Sequence, residues 1–262
     1  MAIKFTFSKS LTLVAFALAG LTGHAETAKH AEAGQHAAPH WSYKGNHGGP
    51  KQWAELDSAF EKCAKGTTQS PIDISKTVKA DLPALDFKYS NTAPTIVNNG
   101  HTVQINLPAG NSLTVGKQTY ELLQFHFHTP SEETLGGKHL PMVAHFVHRN
   151  TAGELGVVGV LMKQGKTNAA FAPIFAHLPR PGEKITVDDL ALDLAALLPT
   201  DKGYYAYEGS LTTPPCSEGV SWMVLKTPVV LGAEQIKAFR RLFNANARPV
   251  QPLNGRVIKE SM

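Results

Sequence analysis

The chain has 262 residues, 42% hydrophobic and 18% charged, an ordinary balance for one globular domain with a sizeable core. Its formal charge is only +4 and no block of like charge occurs, which excludes an electrostatic binder of nucleic acid or of anionic membranes.

The N-terminus departs from this average. Lys4 and Lys9 precede the apolar run 11–21, and Gly23-His24-Ala25 places small residues two apart. That pattern predicts a secretory signal peptide over residues 1–25, cut after Ala25, with a retained membrane anchor as the alternative. Losing Lys4 and Lys9 and no acid takes the formal charge from +4 to +2. No membrane contact is expected after cleavage, and the mature protein is expected in the periplasm or outside the cell. Residues 26–39, rich in Ala, His, Glu and Gly, have no hydrophobic periodicity and read as a solvated linker. Nothing fixes His30, His36 or the adjoining His40 in a metal-binding geometry. In an exported chain the only two cysteines, Cys63 and Cys216, predict one disulfide. It would close a loop of about 150 residues; two separate buried thiols are the alternative.

Residues 40–262 show no break and no repeat, and read as one domain. Strand-like runs lie at 95–97, 101–107, 112–115, 120–128, 142–148, 155–163 and 220–225. Turn signals such as Asn99-Gly100, Gly136-Gly137 and Ala152-Gly153 separate them. Helical periodicity is rarer. Residues 233–244 place Ile236, Phe239, Arg240 and Phe243 on one face, and 168–177 and 188–198 are shorter candidates. The prediction is a mainly β (α+β) domain. It has a large, twisted, mostly antiparallel central sheet of about ten strands and a few short peripheral helices.

The run Gln124-Phe125-His126-Phe127-His128 puts both histidines on one face of a strand, and His145 in a second strand could join them. Three neutral imidazoles with an open fourth position suit a catalytic zinc ion. On its own the His-X-His pair is equally a surface or core pair. His148, three residues from His145, has the wrong parity and reads as structural; His139 and His177 read as solvated.

The surrounding segments decide more. His126-Phe127-His128-Thr129-Pro130-Ser131-Glu132, Pro141-Met142-Val143-Ala144-His145-Phe146-Val147-His148 and Gly209-Ser210-Leu211-Thr212-Thr213-Pro214-Pro215 together resemble the α-class carbonic anhydrases, in their bacterial exported branch. His40-Trp41-Ser42-Tyr43, Gln69-Ser70-Pro71-Ile72-Asp73-Ile74, Asn98-Asn99-Gly100-His101 and Arg248-Pro249-Val250-Gln251-Pro252-Leu253 match as well, so the likeness spans about 40–260.

The resemblance implies zinc-dependent, reversible hydration of CO2 to bicarbonate and a proton by zinc-hydroxide attack. One Zn2+ per chain would sit on His126, His128 and His145. Thr212 and Glu132 would orient the attacking oxygen, and His101 would shuttle the proton. Tyr43, Asn99 and Gln104 would hold the water chain. Val147, Val157, Leu211, Thr213 and Trp222 would line the substrate pocket. CO2, bicarbonate and water are the expected partners, anions and sulfonamides the expected inhibitors, and a homodimer is left open.

Metal-bound histidines give their other N–H to an acceptor. Gln124 has the parity to serve His126, and the Asn246 carbonyl matches the position that serves His128. For His145 the family usually has a glutamate two residues earlier, and here that residue is Val143. The position after Glu132, commonly histidine in the family, is Glu133. The two departures predict one exchange, in which Glu133 serves His145; a water or a backbone oxygen is the alternative.

Three other classes compete. A catalytically silent relative would lack a ligand histidine, and all three are present. A zinc-storage protein would use the His-rich segment and bind several metals. An esterase of the Gly-X-Ser-X-Gly kind lacks its motif here.

Overall fold

The strands with the strongest apolar patterns occupy the middle of the fold. The computed structural model describes residues 40–186 and 191–262. The predicted signal peptide and linker lie outside the described residues.

One sheet of thirteen strands dominates. In chain order these are β1 Thr77–Ala80, β2 Leu85–Lys88, β3 Thr95–Asn98, β4 Val103–Asn106, β5 Ser112–Val115, β6 Gln118–His128 and β7 Met142–Arg149. They continue with β8 Leu155–Gly165, β9 Lys184–Thr186, β10 Tyr204–Ser210, β11 Glu218–Leu225, β12 Val229–Gly232 and β13 Ile258–Ser261. Across the sheet the order is β9-β3-β4-β6-β7-β8-β11-β10-β13-β1, with β12 on β8 and the β2–β5 pair on β6. Most pairings are antiparallel, but β8 runs parallel to β11 and β12, and β13 runs parallel to β1.

The expected ten or so strands become thirteen because the short strands β1, β2 and β9 carry little apolar signal. β7 and β8 are buried on both faces, which explains their unbroken apolar runs.

The two faces hold different cores. Phe125, Phe127, Phe146, Val158, Val160 and Met162 enter the larger one, with Phe171 and Ile174 and with Phe239 of helix Ala233–Leu242. Val143, Val147, Val157, Tyr207, Trp222 and Val224 form the smaller one on the opposite face.

Two helical expectations fail in part. The 168–177 helix shrinks to Ala172–Ala176, because the Asn168 side chain is taken by Val230 O and the Ala170 N–H. Of the 188–198 helix, residues 188–190 lie outside the described residues, and the rest is not α-helical. Leu192–Asp193 pairs with Asn91–Thr92, and Asp193 Oδ1 accepts from the Ala195 and Ala196 N–H groups, leaving one 3-10 turn at Ala195–Leu197. A side-chain acceptor here competes with the helix for its own backbone donors.

Cys63 and Cys216 form the predicted disulfide, 153 residues apart. Among the described residues no helix is long and apolar enough to cross a membrane.

His148 is fully buried on the larger-core side. Its Nε2 lies 2.6 Å from the Tyr89 hydroxyl, and its Nδ1 lies 3.2 Å from Gly156 O. Burial pushes its pKa down to about 4. The unfolded chain therefore takes up a proton near pH 6.5 that the folded chain refuses until about pH 4. Stability from this residue is full above pH 6.5 and falls by about 3 kcal/mol as pH drops towards 4. Urea unfolding of His148→Gln at pH 7 and pH 4.5 is expected to show a smaller acid loss than the unsubstituted chain.

Candidate metal centre

Pairing between β6 and β7 builds the site. His126 stands directly opposite His145, and His128 stands opposite Val143. Residues of one parity share a face, so all three histidines leave the sheet on the smaller-core side. One nitrogen from each ring lies within 4.8 Å of the other two.

The outer nitrogens are engaged. His126 Nδ1 lies 2.9 Å from Gln124 Oε1, and His128 Nδ1 lies 2.7 Å from the Asn246 carbonyl oxygen. His145 Nε2 lies 3.1 and 3.2 Å from the two Glu133 oxygens. These oxygens only accept, so each outer nitrogen carries the proton. His126 Nε2, His128 Nε2 and His145 Nδ1 are left as inward-facing lone-pair donors. His128 Nε2 is buried without a hydrogen-bond partner among the described residues. Three converging imidazoles, one with an orphaned buried nitrogen, fit a tetrahedral cation such as zinc with one position open.

Burial pushes His126 down to about 3, and it pushes His128 well below the usual imidazole range. Both are neutral at pH 7, as metal ligation requires. Burial also pulls His145 down, but the charge and hydrogen bond of Glu133, with the charge of Glu132, outweigh it and raise the group. Burial pushes Glu132 up to about 7 against the opposing pull of His145, the Arg248 N–H and the Thr212 hydroxyl. Its Oε1 accepts from the Arg248 N–H at 2.8 Å, and its Oε2 lies 3.4 Å from His128 Nε2.

The histidines line a cavity of about 170 Å³. Val147, Val157, Leu211 and Trp222 make one apolar side, and Thr212 and Thr213 border it. Gln124, Val147, Val157 and Trp222 are successive register partners across β6, β7, β8 and β11, so one row of the sheet supplies an acceptor and most of the apolar wall. Tyr43, Asn99, Thr102 and Gln104 line the polar side. The Gln104 amide gives a hydrogen bond to Asn106 Oδ1 at 2.6 Å.

His101 stands in a turn before β4, outside the strand expected over 101–107. Asn99 Oδ1 accepts from the His101 and Thr102 N–H groups, both at 2.9 Å, and Gly100 takes φ +84°. That conformation favours glycine. The His101 ring stacks on Trp41, with centroids 3.7 Å and planes 7° apart. Burial first and the nearby His40 second hold its pKa below the usual value.

A family profile described as eukaryotic-type carbonic anhydrase matches residues 48–262. The chain belongs to the α-class carbonic anhydrase family. A carbonic anhydrase of Neisseria gonorrhoeae is 45% identical over 223 residues, 84% of this chain and 88% of that protein. The α-carbonic anhydrase of Thermovibrio ammonificans, solved with the inhibitor sulfanilamide, is 43% identical with a TM-score of 0.82. The match covers 85% of this chain and all of that one. Carbonic anhydrase Cah3 from Chlamydomonas reinhardtii, solved with acetazolamide, is 37% identical with a TM-score of 0.75, over 84% of this chain and 99% of that one. The chain is accordingly a carbonic anhydrase, an enzyme of CO2 hydration, in a family of zinc enzymes.

Sequence reasoning gave Trp41 and Arg248 of this carbonic anhydrase no role, although both stand in matching segments. The buried Arg248 guanidinium donates to Gln69 Oε1, Ser70 O and Cys63 O at 2.7–3.0 Å, while its backbone N–H holds Glu132. Pro249 and Val250 beside it are exposed and its partners are remote in the chain, so no local signal marks it. Cys216 N–H donates to Thr213 O, so the disulfide anchors the turn that carries Thr212.

Asn246 is tied more widely than its carbonyl suggests. Its Nδ2 donates to His101 O and Phe127 O, and its Oδ1 accepts from the Thr129 N–H. Asn246→Ala strips partners from buried backbone groups and is expected to cost about 2–4 kcal/mol in urea unfolding.

Proposed function

We propose that this chain is an exported, zinc-dependent carbonic anhydrase whose proton leaves through His101. The convergence of three inward nitrogens, each backed by an acceptor on its outer nitrogen, carries this reading. His126 and His128 would hold the ion through Nε2 and His145 through Nδ1. Bound there, zinc acts as a Lewis acid that brings the pKa of water to about 7.

The chain's residues do the rest. Glu132, acceptor only once ionised, accepts a hydrogen bond from the Thr212 hydroxyl and leaves the Thr212 oxygen to receive one from the attacking oxygen. The nucleophile is thereby aimed at the apolar side. Val147, Val157, Leu211 and Trp222 receive CO2, which has no charge and little hydrogen-bonding capacity. Thr213 borders the same pocket. Tyr43, Asn99 and Gln104 hold waters between the histidines and His101, and His101 passes the proton outward. Glu133 replaces the carboxylate absent at Val143 and fixes the His145 tautomer through Nε2.

A signal peptide over residues 1–25 would send the enzyme to the periplasm or outside the cell, and the Cys63–Cys216 disulfide supports that reading. Sulfonamides, bound by the Thermovibrio ammonificans and Chlamydomonas reinhardtii relatives, are expected to inhibit it.

Stopped-flow CO2 hydration before and after chelation tests the proposal. Activity is expected to vanish with the chelator and return with Zn2+; hydration indifferent to chelation overturns it. His101→Ala is expected to lower kcat in weak buffer about 10-fold or more while sparing kcat/KM, with added imidazole restoring the rate. Thr212→Ala is expected to lower kcat/KM by about 100-fold, because the nucleophile loses its orientation. Glu133→Gln is expected to weaken zinc binding by about 10–100-fold in chelator competition.

A further inference from the structure

Glu133 is fully buried, and its Oε1 has no hydrogen-bond partner of proper geometry among the described residues. The single Nε2 proton of His145 cannot serve both carboxylate oxygens at full strength. A second donor is needed, since a buried carboxylate oxygen left unpaired is costly.

The Tyr207 hydroxyl is the matching orphan. It is buried and likewise without a partner among the described residues. Tyr207 in β10 pairs with Trp222 in β11, and the two rings stack with centroids 5.9 Å and planes 6° apart. Trp222 meets the His145 ring edge-on at 4.8 Å, and its Nε1 is already given to Ser210 O. Tyr207 thus stacks on the indole that meets His145. Burial first and the Glu133 charge second keep the phenol protonated as a donor, against the pull of the nearby Ser70 hydroxyl and of the Arg256 charge. Packing around Gly209 of β10 is tight. A Cβ on Gly209 would run into Ser70 Oγ and come 3.0 Å from Tyr207 Cε2.

We infer that Tyr207 is a positioning residue: its hydroxyl donates to Glu133 Oε1 and so holds the carboxylate against His145 Nε2. This rests on the reading of Glu133 as the His145 acceptor. No direct hydrogen bond is formed in this structure. A carboxylate rotation or one bridging water would close the link, with the proton coming from Tyr207. The link suits this chain's exchange. A carboxylate at position 133 presents two acceptor oxygens, and His145 fills only one.

Tyr207→Phe keeps the ring and its stacking and removes only the donor. Zinc competition between the holoenzyme and a chromophoric chelator is measured for the unsubstituted chain, Tyr207→Phe, Glu133→Gln and the double variant. Tyr207→Phe is expected to weaken zinc binding by about 10-fold with little change in the urea midpoint. The double variant is expected to bind no more weakly than Glu133→Gln alone, because both changes break one link.

Full zinc affinity in Tyr207→Phe, with Glu133→Gln impaired, overturns the role of Tyr207 and leaves that of Glu133 standing. Full affinity in Glu133→Gln overturns the underlying reading. Independent, additive losses would mark Tyr207 as part of the general packing and also overturn the link.

Discussion

The site depends on one antiparallel register, which sets His126 against His145. A slip of one residue would send His145 into the larger core and bring Phe146 into the cavity, since side-chain parity is strictly two. The face away from the site resists that slip. Phe125 and Phe146 are register partners there and stack with centroids 4.6 Å apart. Phe127 packs against Phe171, Phe175 and Phe239 in the same core. Aromatic packing on one face thus sets the imidazole geometry on the other.

The acceptors behind the imidazoles come from three places. Gln124 lies on the same strand as His126, Glu133 follows that strand, and Asn246 follows the helix Ala233–Leu242. No short segment contains the whole arrangement. The tautomers, and with them the inward lone pairs, exist only in the folded chain, so metal affinity and folding stability are linked. Arg248 extends the link by joining Glu132 to the backbone at Cys63 and Ser70, next to the disulfide that restrains the Thr212 turn.

Sequence reading recovered what depends on parity and local pattern. The shared face of His126 and His128, the strands at 112–115 and 142–148, and the helix beginning at 233 all follow from period. The segment likeness supplied the rest of the cavity, and each predicted lining residue stands in it. What could not be read depends on partners remote in the chain. β10 lacks clean alternation because its neighbours, rather than its own pattern, bury it, and Tyr207 consequently passed unnoticed. The 188–198 pattern looked helical because its leucines recur at short intervals, yet Asp193 spends the local N–H groups on a turn. The proximity of Glu133 to His145 was legible only because the absence of an acceptor at Val143 posed the question.

Charge explains why so unfavourable a cluster can persist. Glu132 and Glu133 are both fully buried, with Arg248 beside them as a buried cation. Fully ionised, the three groups leave one net negative charge in a low-dielectric region, and an unpaired buried charge is costly. The rise of Glu132 to about 7 registers that cost. A divalent cation on the three imidazoles would turn the balance to one positive charge, which a single small anion would neutralise. Hydroxide and bicarbonate each satisfy that condition. Addition of CO2 to hydroxide gives one monoanion from another, so the chemical step itself would leave the buried charge unchanged. Were Glu133 neutral, the occupied site would carry one more positive charge and would hold its anion more tightly. A carboxylate at position 133 would therefore bear on anion affinity at an occupied site as well as on the His145 ring it touches.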